Sequence, residues 1–237
     1  IIRNAAREPE IIDLQNYLNK AGAKINGAGT SVIIIDGVDK FTDVTHNTMP
    51  DRIVAGTYMI AAAITEGEVV VKNIIVDHLQ AIIAKLKEAG SLIYNDNNSL
   101  KIIGPKKTNS IEMIQTLPYP GFPTDMQAQM MALLSIANGT SIISETVFEN
   151  RFKHAEELTR MGANIKIFGK VAIIKGVKEL TGAKMTAKDL RGGACLILAG
   201  LAARGVTEVE NVHHIERGYE NFHVELKDIG ADIKKVD

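Results

Sequence analysis

Several charged residues stand at or near expected helix starts, where they could do acid–base or anion-binding chemistry. Asp125 follows Phe122-Pro123-Thr124 at the opening of a helix. Its residue type fits two uses. It could help cap the helix, since Thr124 and Gln127 have capping-box spacing and Asp51 and Asp189 recur at comparable helix starts. It could instead accept a proton from a substrate hydroxyl, as carboxylates do in general-base catalysis. Asp189 admits the same two readings. Arg191 lies two residues beyond Asp189, Arg217 falls in a loop before a helix expected near Gly218, and Arg151 opens the matching helix of the preceding stretch. A guanidinium fork beside helix N–H donors suits a phosphate or carboxylate. The plain alternative for each is a solvated surface arginine. Val147 brings no polar side chain and reads as a half-buried strand residue. Cys195 lies in the apolar run Gly193-Ala-Cys-Leu-Ile-Leu-Ala199 and reads as core rather than nucleophile. His213 and His214 are read as extended, pointing to opposite sides, with no further ligands to make a metal site.

The elements that carry these residues repeat. Leu18-Asn-Lys-Ala-Gly22-Ala-Lys-Ile25, Leu86-Lys-Glu-Ala-Gly90-Ser-Leu-Ile93, Leu158-Thr-Arg-Met-Gly162-Ala-Asn-Ile165 and Leu226-Lys-Asp-Ile-Gly230-Ala-Asp-Ile233 share one pattern. Each reads as a helix end, a glycine stop and a strand, about 70 residues apart. A second helix family starts at Asp51, Asp125 and Asp189, stops at Gly67, Gly139 and Gly205, and leads each time into a β-rich stretch. The unit predicted is βαβαββ, three times over roughly 41–104, 108–177 and 183–237. Residues 1–38 hold the back half of a fourth unit, and 39–50 reads as a linker. A half unit leaves an apolar face that its other half should cover, so the expectation is a chain that continues upstream of Ile1.

Bulk composition narrows the partners. With 237 residues, net charge −1, one Cys and no Trp, the chain has no global pull on nucleic acid or anionic membrane. Disulfide frameworks and Cys-rich metal sites are excluded. No signal peptide is recognised and no apolar run approaches the roughly 20 residues of a membrane span, so a cytoplasmic protein is expected. Its core must be Ile, Val, Leu, Ala and Met.

Phe122-Pro-Thr-Asp-Met-Gln-Ala-Gln129, Glu145-Thr-Val-Phe-Glu-Asn-Arg-Phe152, Asp189-Leu-Arg191 and His214-Ile-Glu-Arg-Gly-Tyr-Glu220 together resemble the UDP-N-acetylglucosamine enolpyruvyl transferase family. The resemblance runs the length of the chain. Val54 departs from it, where Glu is usual, as do Gly192 and Gly193, where bulkier small residues are common. It implies an α/β (α+β) fold: a lobe of three βαβαββ repeats over 41–237, with 1–40 as the C-terminal part of a truncated first lobe. It implies a bacterial transferase of peptidoglycan precursor synthesis, moving the enolpyruvyl group of phosphoenolpyruvate to the 3-hydroxyl of UDP-N-acetylglucosamine. No metal or organic cofactor is implied. Asp125 would contact the attacking hydroxyl as base. Arg191 and Arg217 would bind the phosphate or carboxylate of phosphoenolpyruvate, and Arg151 and Asp189 would line the substrate site. Val147 would touch the nucleotide sugar through its main chain. The family's reactive-Cys loop and its N-terminal Lys-Asn contact have no counterpart here, so the chain by itself is expected not to turn over. A relative acting on another acceptor, such as shikimate phosphate, and a non-catalytic fragment are the alternatives.

Overall fold

The computed structural model describes residues 1–236. Strand β1 (Ile2–Arg3), helix α1 (Pro9–Lys20), β2 (Lys24–Asn26) and β3 (Val32–Asp36) come first, with β3 central and antiparallel to both neighbours. Residues 37–51 carry no helix or strand. Arg52 Nε donates to Glu10 Oε1 at 2.9 Å, and His46 Nε2 lies 3.0 Å from Asp13 Oδ1, which ties α1 to residues 46–52.

Next come α2 (Arg52–Ile64), β4 (Glu68–Lys72), α3 (Gln80–Glu88), β5 (Leu92–Asp96) and β6 (Ser99–Ile103), in a sheet ordered β4-β6-β5. The middle stretch is the full succession: β7 (Met113–Gln115), a 3-10 turn (Thr124–Met126) running into α4 (Gln127–Leu134), β8 (Thr140–Ser144), α5 (Lys153–Arg160), β9 (Asn164–Phe168) and β10 (Val171–Lys175). Its sheet runs β7-β8-β10-β9, with β7 parallel to β8 and the rest antiparallel. The last stretch is β11 (Leu180–Thr181), β12 (Lys184–Thr186), α6 (Leu190–Leu201), β13 (Ala203–Arg204), β14 (Glu208–Glu210), α7 (His213–Glu216) and α8 (Phe222–Asp228), with β11–β13 and β12–β14 as parallel pairs.

The repeat expectation holds best at the helix stops. Gly22, Gly90, Gly162 and Gly230 all have positive φ, between 92° and 105°. In each case the next residue's N–H returns to the carbonyl of the leucine four residues before the glycine: Leu18, Leu86, Leu158 and Leu226, at 2.9–3.1 Å. That long-range bond across a left-handed residue closes the helix in a Schellman motif, and glycine adopts it without a Cβ clash. The flanking units are less complete than the predicted βαβαββ. No strand precedes α2, where residues 41–50 are mostly polar and end in Pro50. Among the described residues none comes after Gly230 either. In the middle unit the strand after the glycine pairs with β10, and among the described residues 231–236 have no such partner. A lone strand leaves its backbone groups unpaired.

α2, α4 and α6 are apolar nearly all round and pack on one another at the centre, as such helices must. Every residue of α4 is buried. The three run in parallel. Contacts among Thr57, Gln129, Tyr219 and Arg191 join their N-terminal halves. Their C-terminal ends line a shallow cavity of about 680 Å³ with Ile64, Ile136 and Leu201. Three aligned macrodipoles therefore present their positive ends at one pole, each equivalent to about half a charge.

Candidate active site

At that pole the three helix-start aspartates part company. Asp51 caps α2, its Oδ1 accepting from Ile53 N at 2.7 Å and Val54 N at 3.0 Å. Asp189 caps α6, accepting from Gly192 N at 2.8 Å. Asp125 caps nothing. It sits inside the 3-10 turn, which has no side-chain cap. The capping-box reading fails there because the Thr124 hydroxyl donates to Glu145 Oε2 at 2.8 Å, and Gln127 is buried in the core. The Asp125 carboxylate instead lies between two guanidinium groups. Arg151 Nη2 donates to Oδ1 at 2.5 Å and Arg191 Nη2 to Oδ2 at 3.2 Å. The Asp125 side chain keeps 38% of its surface exposed and that of Arg191 14%.

Both arginines are held from behind. The Arg191 guanidinium lies 5.6 Å from the centre of the Tyr219 ring, and its Nη1 donates to the Tyr219 hydroxyl at 3.3 Å. Tyr219, only 2% exposed, bonds Thr57 Oγ1 at 2.9 Å, and Gln129 Nε2 donates to both hydroxyls at 3.3 Å. Thr57 donates to Ile53 O, so the Tyr219 proton goes to Thr57. Burial disfavours the Arg191 charge, but Tyr219 and Asp125 outweigh it and its pKa lies above the ordinary value. Arg151 stacks on Phe148 at 4.7 Å. Two fixed guanidinium groups beside helix N-termini form an arrangement suited to an anion.

The other expected residues fall in different settings. Val147 is exposed in a bend after β8, not half-buried in a strand as expected, because the strand ladder ends at Ser144, and its N–H donates to Glu145 Oε1 at 2.8 Å. Arg217 is exposed. It comes after the short helix α7 instead of preceding a helix at Gly218; α8 begins only at Phe222, after Asn221 in the left-handed region. His213 and His214 are helical rather than extended, with ring centres 4.2 Å apart. Cys195 is wholly buried, and burial raises its thiol pKa, so it stays protonated. Sequence reasoning assigned no role to Glu145 or Tyr219, although both stand inside the motif strings. Their single signal was a polar or aromatic residue amid chemistry-bearing neighbours.

His154, on the first turn of α5, is 3% exposed, and its Nε2 finds no hydrogen-bond partner. Desolvation lowers its pKa to about 4, with Asp189 opposing and Arg151 adding. A histidine held neutral when folded takes up a proton when unfolded. Its contribution is therefore complete above the unfolded value near 6.5 and is lost as pH falls toward 4. The expected loss attributable to His154 is up to about 3 kcal/mol. Urea unfolding of wild type and His154→Gln from pH 7 to 4.5 checks this. Parallel pH profiles for the two proteins would exclude His154 as the cause.

Among the described residues no helix is long and apolar enough to cross a membrane, and no group of three or more His, Cys, Asp or Glu could hold a metal ion. The fold is that of the enolpyruvyl transferases. Its structural parallels include the enolpyruvyl transferase NikO from Streptomyces tendae, with TM-score 0.86 and 26% identity over 98% of this chain and 55% of that one. EPSP synthase from Acinetobacter baumannii shares the fold at TM-score 0.73 and 18% identity, over 94% of this chain and 55% of that one. The sequence model for EPSP synthase (3-phosphoshikimate 1-carboxyvinyltransferase) matches residues 1–226, and the chain belongs to that family. Within it, the chain is 56% identical to UDP-N-acetylglucosamine 1-carboxyvinyltransferase 2 of Caldanaerobacter subterraneus subsp. tengcongensis and to UDP-N-acetylglucosamine 1-carboxyvinyltransferase of Halothermothrix orenii. Both alignments cover 100% of this chain, which spans 57% and 56% of those relatives' lengths.

Proposed function

We propose that the full-length parent transfers the enolpyruvyl group of phosphoenolpyruvate to the 3-hydroxyl of UDP-N-acetylglucosamine, releasing phosphate, in cytoplasmic peptidoglycan precursor synthesis. Residues 41–237 are one lobe of the cleft, and residues 1–40 are the end of a second lobe that the upstream sequence completes. The observation that carries this is Asp125, which unlike Asp51 and Asp189 is not a cap and is held between Arg151 and Arg191. The substrate phosphate or carboxylate competes for the two guanidinium groups and releases Asp125 to face the sugar hydroxyl. The hydroxyl oxygen attacks C2 of phosphoenolpyruvate and passes its proton to Asp125, while the C2=C3 π electrons take up a proton at C3. The tetrahedral adduct then loses a C3 proton as its C2–O bond to phosphate breaks and C2=C3 reforms, with Arg151, Arg191 and Arg217 stabilising the departing anion. Asp189 borders the site as the α6 cap, and Val147 O meets the sugar. These roles need no organic cofactor or metal.

The family model takes its description from a shikimate-phosphate enzyme, which keeps that acceptor as the second reading, whereas relatives of this chain at 54–57% identity carry the UDP-N-acetylglucosamine name. Product analysis with both acceptors decides between them. The 237-residue chain alone is expected to release no phosphate from phosphoenolpyruvate under conditions where the full-length parent does. Turnover by the chain alone would mean that the cleft does not need the upstream lobe.

A further inference from the structure

Glu145 is 1% exposed, at the end of β8, and no Lys or Arg pairs with it among the described residues. Its carboxylate is satisfied by four neutral donors from three segments. Oε1 accepts from the Thr116 hydroxyl at 2.8 Å, Val147 N at 2.8 Å and Phe148 N at 3.0 Å. Oε2 accepts from the Thr124 hydroxyl at 2.8 Å. Thr116 is itself fixed, its Oγ1 accepting from Thr146 N at 2.9 Å. These bonds close a circuit. Glu145 holds Thr124, whose neighbour is Asp125. It also holds the amide of Phe148, whose ring supports Arg151, and Arg151 bonds Asp125.

We infer that Glu145 is a positioning residue for the enolpyruvyl-transfer site: through Thr124 it sets the Asp125 carboxylate, and through Val147 and Phe148 it sets the loop that carries the Val147 carbonyl and Arg151. The inference rests on the role proposed for Asp125. A carboxylate suits the task because it only accepts, and its two oxygens offer about four lone-pair sites to four donors. Placement by fixed hydrogen bonds matters because displacements of about 1 Å cost on the order of 10²-fold in rate.

The test separates the two ties in the full-length parent. Thr124→Val removes the Oε2 bond and leaves the other three. It is expected to lower kcat about 10- to 100-fold with KM for both substrates within about threefold. Thr124→Ser restores the hydroxyl and should recover most of the rate. Glu145→Asp withdraws the carboxylate by one methylene, and should lower kcat and raise KM for UDP-N-acetylglucosamine as well. In an Asp125→Ala background Thr124→Val should have almost no further effect, a non-additivity that a purely structural role would not produce. Full additivity, or a Thr124→Val kcat within about twofold of wild type, overturns the inference. Hydrogen exchange reads it without turnover. Glu145→Asp should speed exchange at Val147, Phe148 and residues 124–127 while leaving the second half of α5 unchanged, and unaltered exchange at those sites also overturns it. A wild-type parent that makes no enolpyruvyl product sinks the functional reading instead, while the exchange result still judges the circuit.

Discussion

A full-length parent carrying Asp125→Ala is expected to lose about 10²–10⁴-fold in kcat, the usual contribution of a general base. KM for UDP-N-acetylglucosamine should move little, because the group acts as the hydroxyl attacks, and KM for phosphoenolpyruvate should fall, because the anion no longer competes with a carboxylate. Stability should fall less than for Asp51→Ala or Asp189→Ala. Those two aspartates satisfy helix N–H groups, and deleting such a cap typically costs about 1 kcal/mol. Asp125 satisfies none. Removing it leaves Arg151 and Arg191 without their shared carboxylate, so like-charge repulsion should loosen the pole and favour anion binding. Steady-state kinetics with phosphate-release detection, run beside thermal unfolding of the three variants, check both halves. A near-normal kcat for Asp125→Ala would reduce Asp125 to an ion-pair partner.

Arg191→Ala is the second large effect. Truncating one partner of a desolvated charge pair costs roughly 2–5 kcal/mol, and the Arg191 side chain is largely buried against Tyr219. The loss should appear as a KM for phosphoenolpyruvate raised at least about 30-fold, with KM for the nucleotide sugar changed much less. Arg191→Lys keeps the charge but not the fork and should recover only part. Arg217→Ala should weaken phosphoenolpyruvate in the same direction but by less, because its side chain is exposed and screened in this structure. An unchanged KM for phosphoenolpyruvate in Arg191→Ala would remove Arg191 from the anion site.

Much of the frame was legible in the chain itself because its signals are local. A helix stop needs one left-handed residue, and Gly22, Gly90, Gly162 and Gly230 announce it by type and by the same flanking leucine. A central helix needs apolar residues on every side, and α2, α4 and α6 carry them in their own text. The missing strands before α2 and after Gly230 were not legible in this way. A strand exists only where another strand offers a ladder, and that partner can be far away in the sequence.

The order of residues was enough to say where helices stop, which family the motif strings resemble, and that Cys195 is core. Which aspartate is a cap was settled by packing. Asp51 and Asp189 have extended backbones that aim their side chains at the N–H groups of the next turn. Asp125 has the same residue type at the same kind of position, yet it lies within a 3-10 turn whose preceding threonine is drawn to Glu145. Its partners, Arg151 and Arg191, are 26 and 66 residues away in the chain. Helix capping is a choice among groups within three residues and can be proposed from spacing. A carboxylate shared by two distant guanidinium groups exists only once the central helices have packed and brought their N-termini to one pole.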